Sequence, residues 1–198
     1  MRKYKYFENN VRFNSSSKIL DVGFTNDEFT PIANYLEKKY PFRHKITALG
    51  IDGKDIFEKM YPDIDAILYD GTVFPFSDNS FDIGWSNAVI EHVGSRNKQI
   101  FFLKELLRTC RIIYFTTPNV RFPVEVHTRT FFLHWLPKSI FYSYLKWIGK
   151  SWATKDYMNL LSKKEIIKLC KEAGAKNIKI KGNKFMGFVM DYSVIIEK

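Results

Sequence analysis

Lys18-Ile19-Leu20-Asp21-Val22-Gly23-Phe24-Thr25-Asn26-Asp27 is the stretch that decides the fold. A short apolar run closed by glycine reads as a buried parallel strand followed by a sharp turn. Beyond it, Asp27 to Lys39 places Phe29, Ile32, Ala33 and Leu36 at helical spacing, with Pro31 confined to the first turn, where a missing N–H costs nothing. Strand, turn and helix then recur. Ile46 to Ile51 reads as a strand ending at Asp52, Lys54 to Met60 as a short helix, and Ala66 to Tyr69 as a strand ending at Asp70. Phe81 to Ser86 is a fourth strand, Asn97 to Arg108 a helix, and Arg111 to Thr116 a fifth strand that Pro118-Asn119 stops. Leu161 to Ala173 is a helix with Ser162 as N-cap and Gly174 just past its end. Two last strands fall near Lys176 to Lys181 and Phe188 to Glu197.

Alternating strands and helices predict an α/β fold. It is Rossmann-like, with a mostly parallel seven-stranded sheet, helices on both faces and a helical insert after strand five. At 198 residues, the chain fits a single domain spanning 1–198, with residues 1–17 as a lead-in segment lacking clear period. The composition, 45% hydrophobic and 26% charged, is that of a folding chain and excludes wholesale disorder. Its net charge of +10 favours anionic partners in general, but lysines spread along the chain also describe a plain solvated surface. Cys110 and Cys170 lack CxxC spacing and read as buried thiols suited to a reducing compartment. No metal site is assigned. No apolar run approaches the length that spans a bilayer, so a cytoplasmic protein is expected.

In doubly wound sheets, ligands bind outside the carboxyl ends of the strands. The candidates for cofactor binding are therefore Asp21, Gly23, Phe24, Thr25, Asp52, Gly53, Asp70, Gly71, Ser86 and Asn87. Gly23 allows close backbone approach. Asp52 is placed to accept both hydroxyls of a ribose, and Asp70 to accept from an adenine amino group. A pyrophosphate needs a glycine-rich loop against a helix N-terminus. Here one glycine is followed by Asp27-Glu28, which repels phosphate. A nucleoside cofactor without phosphate fits better.

Ile19-Leu20-Asp21-Val22-Gly23, Gly50-Ile51-Asp52, Asp70 with Phe74-Pro75-Phe76, Ser80-Phe81-Asp82 and Ser86-Asn87-Ala88-Val89-Ile90-Glu91-His92-Val93 occur in an order and spacing that resembles the class I S-adenosylmethionine-dependent methyltransferases. The likeness is to their small-molecule branch, which includes quinone and glycan methylases, and it covers about residues 18 to 197. It implies S-adenosyl-L-methionine as cofactor and in-line displacement from a sulfonium, for which the enzyme aligns reactants and excludes water. A base is needed only where the acceptor must lose a proton, and the candidates are His92, Glu125 and His127.

In this family the segment after strand five builds the acceptor site. Here that segment is 121–159, with Phe131, Trp135, Phe141, Tyr144, Trp147 and Trp152 set among Lys138, Lys146 and Lys150. It reads as a helical lid or, through 131–152, as a surface for peripheral membrane contact. Either form suits a small or lipophilic acceptor such as a glycan, a lipid-linked molecule or a quinone.

Thr25 stands where the family usually has a second glycine. That leaves a non-catalytic module of the same fold as an alternative. A nucleic-acid methyltransferase is a further alternative, but the amine-methylating Asp or Asn followed by Pro-Pro-aromatic is absent after strand four, so a nucleic-acid partner is not expected.

Overall fold

The structure, a computed structural model, describes residues 2–28, 30, 32–125, 127–154 and 158–198. The expected strands are present with small shifts at their ends: β1 Ile19–Val22, β2 Ile46–Gly50, β3 Asp65–Leu68, β4 Phe81–Asn87 and β5 Cys110–Pro118. After β5 the insert adds a hairpin, β6 Val124–Glu125 with β7 Thr130–Phe131, and the chain ends in β8 Asn177–Phe185 and β9 Phe188–Glu197. Seven strands form one sheet in the order β3-β2-β1-β4-β5-β9-β8. The first five in that order pair in parallel, whereas β9 runs antiparallel to both β5 and β8.

The alternation of side chains along a strand sorts the core into two layers. Leu20, Leu49, Ile113, Val194 and Ile196 pack with Leu103 and Leu106 of α4 (Arg96–Thr109) and with Ile166, Leu169 and Cys170 of α6 (Lys163–Glu172). Their neighbours Ile19, Ala48, Ile83, Tyr114 and Ile195 face the other way. There they pack against Tyr4 and Phe7 of α1 (Arg2–Asn10), Leu36 of α2 (Tyr35–Lys39) and Phe57 of α3 (Asp55–Met60). Ser162 and Glu165 form a reciprocal capping box at the start of α6.

Two expectations are corrected. Residues 1–17 are more than a lead-in, because α1 buries Tyr4 and Phe7, with Val11 just beyond, and sets the Phe7 ring edge-on to Trp85 at 5.1 Å. The helix expected over Asp27 to Lys39 is reduced to Tyr35–Lys39, preceded by Asn34 in the left-handed region at φ 47°. Phe29 and Pro31 lie outside the described residues. The residues before α2 are drawn away from helical geometry by other partners: Glu28 bonds Tyr61 and pairs with Lys38 at 2.6 Å, while Asn26 serves α3. Both cysteines are buried, as expected, and burial pushes each thiol up to about 12, which leaves them inert.

Candidate active site

The sheet reverses its winding between β1 and β4, and a cavity of about 660 Å³ opens at the carboxyl ends of the strands there. The turn after β1 forms its floor. Gly23 donates its N–H to the Leu49 carbonyl at 2.8 Å, and the Ser86 hydroxyl donates to the Val22 carbonyl at 3.1 Å, so the strand end is pinned from both sides. Gly23 sits at φ 101°, and a Cβ there would lie 2.3 Å from Val89 Cγ2. Only glycine fits.

Thr25, the residue in place of a second glycine, is clamped by Asn34. Its N–H and hydroxyl donate to Asn34 Oδ1 at 2.9 and 3.1 Å, and Asn34 Nδ2 returns a bond to the Thr25 carbonyl at 2.8 Å. The threonine hydroxyl thus serves the loop itself. Asn26 reaches across to accept from the N–H groups of Ile56 and Phe57 at 3.0 and 3.1 Å, so the loop after β1 caps the helix after β2.

Of the expected cofactor residues, Gly23, Phe24, Thr25, Asp52, Gly53, Asp70 and Gly71 line the cavity, and His92 joins them. Asp52 is exposed on this wall. Asp70 Oδ1 accepts the Thr72 N–H at 2.9 Å, and the Thr72 hydroxyl and N–H together hold its carboxyl below the ordinary range.

Asp21, Ser86 and Asn87 instead brace the cavity from behind. Strand alternation turns Asp21 toward α2, where burial first, and then the Glu37 carboxyl bonded to it, push its pKa well above the ordinary value. Burial likewise raises that of Glu37. Both buried acids therefore favour the protonated form. Ser86 is spent on Val22, and Asn87 Oδ1 accepts from the Thr116 hydroxyl at 2.7 Å on β5.

The three expected acid–base residues meet in a chain. His92 Nε2 lies 3.2 Å from His127 Nε2, and His127 Nδ1 lies 2.9 Å from Glu125 Oε1. Burial alone would raise the Glu125 carboxyl, but hydrogen bonds from His127 and Thr128 outweigh it and hold the pKa down at about 2. Glu125 in turn lines a second cavity of about 340 Å³ together with His134, Phe141 and Asn159 of the insert. The chain of side chains thus runs from the wall of one cavity to the wall of the other.

Sequence reasoning passed over Glu91. It is fully buried beside this chain, its Oε2 accepting from the Thr117 hydroxyl at 2.9 Å, and burial pushes its carboxyl up to about 7. A carboxylate adjacent to His92 was the available signal.

The insert is held to the domain at several points. The ring nitrogens of His134 and Trp135 both lie within hydrogen-bond range of the Val120 carbonyl, at 3.1 and 2.8 Å, while within the insert Lys150 donates to the Thr128 carbonyl. Asn159 donates its N–H to the Glu91 carbonyl at 2.8 Å. Helix α5 (Lys138–Trp147) buries Phe141 and Leu145 in a small core of its own, while Trp147 stands 82% exposed.

Residues 20–112 match the family described as a methyltransferase domain. No curated protein matches the chain in sequence. Among solved structures, an S-adenosylmethionine-dependent methyltransferase of Methanosarcina mazei shares 15% identity at a TM-score of 0.58, with 94% of each chain covered. Phosphoethanolamine N-methyltransferase 2 of Haemonchus contortus, in complex with S-adenosyl-L-methionine, shares 13% at a TM-score of 0.63, covering 100% of this chain and 52% of that one. The same enzyme with phosphomonomethylethanolamine and S-adenosylhomocysteine shares 14% at a TM-score of 0.60, with coverage of 91% and 38%. This chain therefore spans about half or less of those two chains. At such identities the likeness is one of fold. The chain thus has the fold of these methyltransferases, and its residues 20–112 resemble a methyltransferase domain.

Proposed function

We propose that the protein transfers a methyl group from S-adenosylmethionine, held in the cavity at Gly23, Asp52 and Asp70, to a small or lipophilic acceptor enclosed by the insert. The observation that carries this reading is the His92–His127–Glu125 chain, which opens on the cavity at His92. A volume of about 660 Å³ is of the size that takes a cofactor or drug-sized ligand. Leu49, Ile51, Tyr69 and Val93 offer apolar walls for a base, and Asp52 offers paired acceptors for a ribose. Asp27, at the same cavity, complements a cationic centre. Such a cofactor supplies an activated methyl group on a sulfonium. The remaining work is alignment and exclusion of water.

On the acceptor side, Glu125 fixes the ring of His127, which faces His92, and an acceptor proton is taken up at this pair. Cys110 and Cys170, buried and inert, take no part. The insert supports a lipophilic acceptor and contact with a membrane surface. Phe131, Trp135, Ile140, Trp147 and Trp152 are exposed, and no Asp or Glu occurs from His127 to Thr154, where Arg129, Lys138, Lys146 and Lys150 occur. Within that range, a quinone, a glycan or a lipid-linked acceptor all suit an aromatic wall.

Calorimetry with S-adenosylmethionine and S-adenosylhomocysteine tests the cofactor site. Asp52→Ala removes charge-assisted hydrogen bonds, each contributing about 1.5–3 kcal/mol, so affinity is expected to fall by about tenfold or more with the fold intact. Unchanged affinity in Asp52→Ala places the ribose elsewhere, and no binding of either ligand at about millimolar concentration overturns the enzyme reading.

A further inference from the structure

We propose that Glu91, His92 and His127 bind a divalent first-row transition cation at the edge of the cofactor cavity. One potential ligand atom from each residue lies within 4.8 Å of the others. Two imidazole nitrogens that each bind one ion at about 2.0–2.1 Å stand roughly 2.9–3.3 Å apart, from right-angled to tetrahedral geometry. The two Nε2 atoms here are 3.2 Å apart.

Glu91 supplies the independent observation. Its Oε2 is held by Thr117, but its Oε1 is buried with no hydrogen-bond partner. A buried carboxylate oxygen left unanswered is costly and calls for an explanation such as an ion. An ordinary hydrogen bond between the two imidazoles would satisfy His92 and His127, yet it would leave this oxygen as it is. A cation satisfies all three residues together.

The surroundings are those of a prepared site. Glu125 accepts from His127 Nδ1, which leaves the Nε2 lone pair directed toward His92, the carboxylate–histidine arrangement that orients metal ligands. The segment bearing Glu91 and His92 is fixed by bonds from Gln99 Nε2 to the Ile90 carbonyl at 3.1 Å and from the Asn159 N–H to the Glu91 carbonyl at 2.8 Å. Two imidazoles and one carboxylate suit zinc, iron or cobalt better than magnesium or calcium, which prefer oxygen alone.

Three protein ligands leave coordination positions open, as in catalytic zinc sites. His92 lines the cofactor cavity, so an acceptor oxygen can occupy an open position there and be polarised by the ion, its proton passing to solvent; with the ion bound, this replaces proton uptake by the imidazole pair. This role, unlike the site itself, rests on the methyl-transfer reading, and it narrows the acceptor to one bearing a hydroxyl or paired oxygens.

The test is titration of the full chain, freed of metal by chelator dialysis, with Zn²⁺ by calorimetry and with Co²⁺ by visible absorption. Saturable one-to-one binding is expected. His92→Ala and Glu91→Gln are expected to weaken it by more than the about 10–100-fold associated with an outer partner, and Glu125→Gln by about that amount. Circular dichroism confirms that each variant is folded, and half-buried His92 keeps the test open if Glu91→Gln does not fold. No uptake by the wild-type chain, or uptake unchanged in the His92→Ala/His127→Ala double variant, overturns the site. Titration of the same sample with S-adenosylmethionine separates the two readings. Cofactor binding without metal binding overturns the ion alone, and metal binding without cofactor binding overturns methyl transfer alone.

Discussion

Asp21 is the residue whose role changes most between sequence and structure. It belongs to the motif that suggests a cofactor, yet its carboxyl is buried on the other face of the strand beside that of Glu37. The alternation within a four-residue strand decides this, since Leu20 and Val22 face one layer and Ile19 and Asp21 the other. Nothing in the sequence marks Glu37 as the partner, because α2 was expected to begin well before it. Both carboxyls titrate above their ordinary values. At pH values below about 4 the folded and unfolded chains alike hold these protons. As pH rises, the unfolded chain releases them first, so the stability present at low pH is lost as pH passes through the folded-state values. Glu37→Gln replaces one acid with a donor to Asp21. Its melting temperature is expected to vary less than the wild type's between about pH 5 and 8, and at the upper end to exceed it by about 2–4 °C per kcal/mol relieved. Parallel curves for the two proteins would show that the pair carries no such penalty.

At the scale of elements, the strands were legible because buried parallel strands are short apolar runs with turn residues at their ends, as in Ile46–Gly50 before Asp52. Helix α6 was legible from its cap residues. Two helices were not. The spacing of Tyr4, Phe7 and Val11 is helical, but Tyr6 and the charges between them hid that period within a segment read as lead-in. In the other case, Asn26, just before the expected helix, caps a different one, α3, a contact between residues about thirty positions apart that local pattern does not contain. Asn26→Ala removes the acceptor of two N–H groups at the start of α3. It should cost about 0.5–2 kcal/mol, with a melting temperature lower by about 2–4 °C per kcal/mol. A thermal scan giving the wild-type value would show that the bonds add nothing net. Much of the candidate cofactor wall, from Gly23 to Gly71, followed from strand ends alone. The acceptor side did not: the residue types were visible, but which of them meet depends on a two-strand hairpin, β6 with β7, too short to read.

Across the whole molecule, basic charge and exposed aromatic rings fall in different proportions on different parts. The sheet and its helices carry ion pairs such as Arg108 with Glu105 at 2.7 Å and Arg96 with Glu172 at 2.9 Å, whereas the described part of the insert has no acid between His127 and Thr154 to balance its lysines. Among the described residues no helix is long and apolar enough to cross a membrane, and the contact proposed for the insert is with a membrane surface. In flotation with liposomes containing anionic lipid, the protein is expected to rise with the vesicles at low salt and to be released as salt screens the lysines. Trp147→Ser with Lys138→Glu and Lys146→Glu is expected to keep it in the soluble fraction. Wild-type protein that stays behind at low salt removes membrane contact from the proposal.

The hairpin of Glu125 and Thr130 carries a last implication. His127 follows Glu125 within the same excursion from the sheet that forms the aromatic wall, while His92 belongs to the loop after β4. The imidazole pair proposed to face the acceptor is therefore assembled from two separately encoded pieces. On the proposed function, grafting a different insert onto this sheet would change the acceptor's enclosure and half of its chemistry in one stroke, and leave the floor of the larger cavity as it was.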